Sequence, residues 1–286
     1  MATSSEKKNG GVWRAVFVIA LIVFLASVVA LGVIAYSYFQ GQAKYNETAQ
    51  KAGLDASDVS AAPLAELNVD WKALLEANPD TVAWVLMPNT SINYPVVRGA
   101  DNEYYLTHDF DGEAGWLANY GAVFMDYRNN PNWSDQQYFI YGHHMNDGSM
   151  FADLAGLTDQ ARFDECRTVY MLSPHGNFKL RTFAMVHASA DAAIVQTSFA
   201  SPADMAAYMQ DKIDQSVVNP GEIPAASAIK QAFAFATCDN MYADGRYILY
   251  AYVEQTTAEG LTGDLGIETQ EGETNGFVND LTMENT

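Results

Sequence analysis

The chain has 286 residues, 49% of them hydrophobic, and carries 15 Lys and Arg against 35 Asp and Glu, a formal net charge of −20. That length and apolar content suffice to bury one substantial domain with extensions. The acidic balance excludes nucleic acid as a partner, because a phosphate backbone demands a basic face.

Ala15 to Phe39 contains no charged residue. As a helix it would be ~37 Å long at about 1.5 Å per residue, enough to cross a hydrocarbon core of about 30 Å with some tilt. Lys7, Lys8 and Arg14 precede it, and beyond Lys44 come Glu47 and Asp55. The positive-inside rule therefore places the N-terminus in the cytoplasm and the chain after about Gly41 outside. A cleaved signal peptide is the competing reading. It is disfavoured because such a peptide has an apolar core of only ~7–15 residues and no clear A-x-A site follows here. Gln42 to Pro63 has no strong apolar face and reads as a stalk or weak helix.

The segment NVDWKALLEANPD predicts a short amphipathic helix capped by Asn68 or Asp70 and stopped by Asn78-Pro79. Strands are expected over Thr81 to Met87, Ile92 to Val97 and Ala122 to Tyr127, with Asp101 to Tyr120 loop-like around a Tyr104-Tyr105-Leu106 anchor. Arg128-Asn129-Asn130-Pro131 is a turn signal, and Asp126 with Arg128 reads as a structural turn or ion pair. Asn146 to Leu157 reads as a loop with a short helix, and Thr168 to Leu172 and Phe178 to Ser189 as strands around a turn. Ser201, Pro202 and Asp204 match an N-cap, a first-turn Pro and a capping-box acid; the helix they open puts Met205, Tyr208, Met209 and Ile213 on one packing face. Of the two cysteines, Cys166 reads as a small packed residue in a strand, and two are too few for a disulfide framework. Beyond Glu254 the pattern stops. Thr256 to Thr286 holds seven acids and no Lys or Arg, which predicts a disordered tail.

Two stretches carry the chemistry. In Lys230 to Val253, KQAFAFATCDNMYADGRYILYAYV, two runs of period two flank a polar loop from Asp239 to Gly245. Cys238 then ends one strand and Arg246 opens the next. In QYFIYGHHM, Gln137 to Met145, an aromatic and β-branched run ends at Gly142 and delivers His143 and His144. Taken alone, the first stretch is as compatible with an ordinary hairpin and a half-buried Cys. Together the two resemble the sortase family of cysteine transpeptidases, and class B in particular, through YGHHM, VFMDYRN, TCD and RYIL. The resemblance covers roughly Leu64 to Glu254. One departure is AFATC, where the family has Leu-Ser-Thr-Cys or similar; Ala236 touches the packing of the strand more than the chemistry.

The resemblance implies a closed, mostly antiparallel β-barrel with peripheral helices, an α+β fold that is mostly β. It implies His143, Cys238 and Arg246 as catalytic residues, with no cofactor and no metal. His144, adjacent to His143 in an extended strand end, would point the other way. His108, His175 and His187 receive no role. A thiol with a pKa of ~8.5 is mostly protonated at neutral pH, so it needs an imidazole partner, and a guanidinium suits the negative charge that acyl transfer builds on a carbonyl oxygen. The implied substrates are secreted proteins with a C-terminal sorting motif. The implied acceptor is an amine on a peptidoglycan precursor or a pilin. The expected organisation is a cytoplasmic segment over 1–14, a membrane anchor over 15–39, a stalk over 40–63, the catalytic domain over 64–254 and the acidic tail over 255–286. Two alternatives stay open: a secreted cysteine endopeptidase using water as acceptor, and a non-catalytic envelope-binding barrel. A pilus-polymerising class C enzyme fits less well, because no lid motif and no C-terminal membrane helix are visible.

Overall fold

A computed structural model describes residues 9–53, 59, 62–114, 121–189, 195–238 and 245–258. The polar loop 239–244 and most of the acidic tail lie outside the described residues.

The chain begins with α1 (Asn9–Ala52), whose stretch Gly11–Ala52 is long and apolar enough to cross a membrane, with a mean hydropathy of 3.1 in its most apolar window. Phe17, Ile22, Phe24 and Val29 on this helix are bare. Its last turns differ: Tyr45, Thr48 and Ala52, spaced by three and four residues, are buried against the domain. The segment expected as a stalk thus starts as a continuation of the same helix, docked on one face. Then α2 (Trp71–Ala77) is capped by the Asp70 carboxylate, which accepts from the Ala73 N–H at 3.0 Å.

Eight strands follow, with four further helices: β1 (Thr81–Leu86), β2 (Asn93–Val97), α3 (Tyr104–Thr107), β3 (Val123–Met125), β4 (Gln137–Gly142), α4 (Asp153–Gly156), α5 (Gln160–Glu165), β5 (Thr168–Leu172), β6 (Phe178–Ser189), α6 (Pro202–Asp214), β7 (Ala232–Cys238) and β8 (Gly245–Thr256). They close into a barrel in the order β1-β2-β3-β4-β7-β8-β6-β5, with β5 pairing back onto β1. Only β2·β3 and β4·β7 are parallel, so the barrel is mostly antiparallel, and closure removes the exposed edges that an open sheet would carry.

The alternation in AFATC has a packing cause. Phe233 and Phe235 join the barrel interior with Trp133, Tyr138 and Phe178, where Tyr138 and Phe233 stack at 5.2 Å between ring centroids. Ala232, Ala234 and Ala236 lie instead in a second cluster with Phe139, Phe183, Tyr250, Met205 and Met209. The last two come from α6, so β7 is covered on both faces, and its outer face carries methyl groups because a helix packs there. Ala236 belongs to this outer seam. The Ser201 hydroxyl caps α6 by accepting from the Asp204 N–H at 3.2 Å.

One expectation is corrected. Cys166 is buried and free, but it is the residue that ends α5 rather than part of a strand. The six-residue α5 itself was not anticipated, being too short to show a helical period.

Candidate active site

The end of β4 is shaped by glycine. A Cβ on Gly142 would lie 2.7 Å from Cγ of Phe151, so a larger residue could not sit under that ring. The Phe151 N–H in turn donates to the His143 carbonyl at 2.8 Å. The chain therefore leaves the strand in a fixed direction and delivers the imidazole of His143 to the rim.

That ring is held along its Nε2–Cδ2 edge. Its Nε2 lies 2.6 Å from the Leu106 carbonyl oxygen. A carbonyl only accepts, so Nε2 carries the proton, and in the neutral ring Nδ1 keeps the lone pair. Against the ring stands Gly121, with φ of 53°; a Cβ there would be 2.8 Å from His143 Cδ2 and 2.8 Å from the Tyr105 carbonyl oxygen. The Ala122 N–H donates to that Tyr105 carbonyl at 2.9 Å, which ties the two walls of the cradle together.

Strand register brings the other two positions to the same rim. In the parallel pair β4·β7, Gly142 stands opposite Thr237; neighbouring strands are ~4.8 Å apart, and the next residues along are His143 and Cys238. In β7·β8, Cys238 stands opposite Arg246, and in β6·β8 Ala188 does. Arg246 is partly buried. Its Nε is enclosed and finds no acceptor among the described residues.

Behind the rim lies a saturated carboxylate. Asp126, which has no exposed surface, takes Nε and Nη2 of Arg128 at 2.8 and 2.9 Å, Nδ2 of Asn102 at 2.9 Å and the Tyr141 hydroxyl at 2.9 Å. Burial opposes ionisation of Asp126, but Arg128 and these donors outweigh it and hold the carboxyl below its ordinary range. The same pocket pushes the Tyr141 phenol up, through burial first and the Asp126 charge second, while the Arg246 guanidinium pulls the other way. The ion pair expected within MDYRN is present. The sequence did not show that Tyr141, one residue before Gly142, links it to the rim.

Three other histidines make contacts of their own, although His187 neighbours Ala188 and so lies beside this rim. His144 forms a β-bridge with Met150, His108 stacks on Tyr104 at 4.1 Å, and His187 stacks on Tyr247 at 4.8 Å. Among the described residues no group of three or more His, Cys, Asp or Glu could hold a metal ion. Cys166 sits far along the chain from the rim elements; burial pushes its thiol up and so disfavours the thiolate. Leu106 and Gly121, the two backbone contacts of His143, were not identified from sequence. Their contact depends on the fold, and only the glycine at 121 hinted at it.

A closed barrel whose register puts a cysteine, a histidine and an arginine position at one rim has the makings of a cysteine acyltransferase. Comparison with known proteins narrows the class. The Sortase domain family model matches residues 85–254. The sortase B of Listeria monocytogenes is 32% identical over 186 residues, covering 64% of this chain and 74% of that protein. A crystal structure of Bacillus anthracis sortase B in complex with AAEK1 superposes with a TM-score of 0.64 at 27% identity, over 76% of this chain and 98% of the other. The Staphylococcus aureus sortase B–substrate complex, at 24% identity and a TM-score of 0.65 over 76% of this chain and 98% of the other, has the same fold. This chain belongs to the sortase family, within class B, and is a cysteine transpeptidase.

Proposed function

We propose that Cys238 is the nucleophile, His143 the acid–base residue and Arg246 the oxyanion donor of a membrane-anchored transpeptidase. The observation that carries this reading is the shared rim: Cys238 opposite Arg246, and Gly142, the residue before His143, opposite Thr237. A guanidinium at this register supports the third assignment, because it stays charged and offers directed donors of the kind a developing oxyanion requires.

In this scheme the Cys238 thiolate attacks the carbonyl of a sorting motif near the C-terminus of a secreted protein. Negative charge collects on the carbonyl oxygen and is met by Arg246. His143, protonated by the departing thiol proton, passes it to the leaving amine as the peptide bond breaks, which leaves a thioester. An incoming amine, on a peptidoglycan precursor or a pilin, then attacks; His143 takes its proton, and the thiolate leaves. With Nε2–H engaged by Leu106, Nδ1 is the ring nitrogen that exchanges the proton. We read 15–39 as a single-pass anchor with the N-terminus in the cytoplasm and 64–254 as an extracellular catalytic domain. The apolar length of α1 and the preceding Lys7, Lys8 and Arg14 support this topology.

The test is incubation of the enzyme with a peptide library, with and without an added amine, read by mass spectrometry. An amide adduct that depends on both Cys238 and the amine is the expected result. Hydrolysis alone, undiminished by the amine, would make the protein an endopeptidase in practice and overturn the acceptor part of the reading.

A further inference from the structure

The last extracytoplasmic turns of α1 end not beside the barrel but in the wall of the histidine cradle. The Tyr45 hydroxyl donates to the Gly121 carbonyl at 2.6 Å, and Tyr45 is 6% exposed. Gly121 is the residue whose backbone stands against the His143 ring. On its other side Tyr45 meets Tyr94 edge-to-face at 5.3 Å between centroids. The Tyr94 hydroxyl accepts from the Met150 N–H at 2.9 Å, and Met150 is the β-bridge partner of His144. One side chain of the anchor helix thus touches the histidine segment by two routes. Lys44, the residue before Tyr45, pairs with Asp109 at 3.1 Å and with Glu113, and so ties down the loop that follows Leu106.

We infer that Tyr45 is a positioning residue for His143, and that the membrane helix is continuous with the catalytic apparatus rather than a tether to it. The inference rests on the reading of His143 as the acid–base residue. Physically, Leu106 and Gly121 meet the ring together along its Nε2–Cδ2 edge, and neither backbone segment belongs to a strand. Their position is set by what they lean on, and for Gly121 that is a buried phenol carried on a 44-residue helix. Burial pushes the Tyr45 phenol well above its ordinary range, so it stays a donor across the pH range of activity. Catalytic groups must be held closely, since a misplacement of ~1 Å can cost on the order of a hundredfold in rate.

The experiment uses the full chain in detergent micelles, labelled with ¹⁵N-histidine, with the His143 signals assigned by loss in His143→Gln. Long-range ¹H–¹⁵N spectra read the ring tautomer directly. The wild type should show the Nε2–H form; Tyr45→Phe, which keeps the ring against Tyr94 and loses only the hydroxyl, should show a mixture of tautomers. On a peptide selected by the wild-type enzyme, Tyr45→Phe should lower kcat roughly 3–10-fold, the range one hydrogen bond controls, with KM unchanged. Tyr45→Ala, which loses both routes, should lower it further. Melting temperatures of both variants separate positioning from unfolding, because a purely structural role would move Tm and leave kcat per folded molecule and the His143 spectrum intact. A His143 spectrum identical to wild type in both Tyr45 variants overturns the inference. A changed spectrum with unchanged kcat would uphold the positioning and overturn instead the catalytic reading of His143.

Discussion

The long strands β6 and β8 run the height of the barrel and end in opposite environments. At one end Phe178 pairs with Thr256, and Asn177 is fully tied in: its Nδ2 donates to the carbonyls of Leu64 and Leu67 at 2.9 and 2.8 Å, its carbonyl accepts from Thr257 N at 2.9 Å and from the Thr256 hydroxyl at 3.0 Å, and its N–H donates to the Thr257 hydroxyl at 2.8 Å. At the other end Ala188 pairs with Arg246, whose Nε is enclosed without an acceptor among the described residues. Both ends use the same strands, so secondary structure does not explain the difference. Trp133, Gln137 and Gln231 near the first end also keep a buried polar atom without a partner among the described residues, so an unmet atom alone does not mark a site; what sets Arg246 apart is its register opposite Cys238.

The comparison breaks most sharply at cysteine. Cys238→Ala at the open rim should abolish turnover, while Cys166→Ala should leave most of it and lower stability by about 1 kcal/mol, since it removes a small buried group. Comparable loss of turnover in both variants, measured on one fixed peptide, would show that the thiol of the open rim is not special.

The next effect in size is at Arg246. If its guanidinium meets the oxyanion, Arg246→Lys keeps the charge but loses the directed donors, and kcat should fall about 10²–10³-fold, or ~2.7–4 kcal/mol. KM should barely move, because the contact strengthens only as charge develops. A raised KM with kcat intact would instead assign Arg246 to ground-state binding.

At the closed rim the reverse pattern is expected. Asn177→Ala removes the donors to two buried carbonyls and should cost about 1–3 kcal/mol of stability, read as a fall of several degrees in Tm. Its kcat and KM should match the wild type at temperatures where the variant is folded. A kinetic defect there would mean that the two ends are coupled through β6 and β8.

How much of this was legible in the sequence follows from the range of the contacts involved. The hairpin of β7 and β8 and the cap of α6 were readable because a period of two and a Ser-Pro-x-Asp run are local. Opposite registers such as Cys238 to Arg246 follow from a short connection between adjacent strands. The cradle of His143 was not readable: Leu106 is 37 residues away in the chain, and a carbonyl oxygen carries no side-chain identity to notice. The same holds for the end of α1. Tyr45 meets Gly121 76 residues later, so the segment's own composition points only to a stalk or a weak helix. The apolar run of β5 begins two residues after Cys166 and suggests a strand there, while the six-residue α5 leaves no periodic trace.

The smallest expected effect concerns acid, and it distinguishes the ends by their charge. Asp126, behind the open rim, is held ionised by Arg128, Asn102 and Tyr141 against the opposing effect of burial, so its folded pKa lies below the unfolded value of about 3.9. A carboxylate with a depressed folded pKa contributes stability that is present above the unfolded pKa and is lost as pH falls through the folded one. The loss therefore belongs to the window below about pH 4, and none of it should occur between pH 5 and 8. Asp126→Asn removes the titration: its stability should be lower than wild type at neutral pH, with the gap closing in acid. Asn177→Ala at the closed end has no carboxylate in its network, so its stability curve should run parallel to wild type, displaced by a constant amount at every pH. Denaturant midpoints from pH 2.5 to 7 for the three proteins check this. A gap for Asp126→Asn that stays constant into acid would mean that the Asp126 carboxylate is no better stabilised folded than unfolded, and that burial rather than Arg128 decides its state.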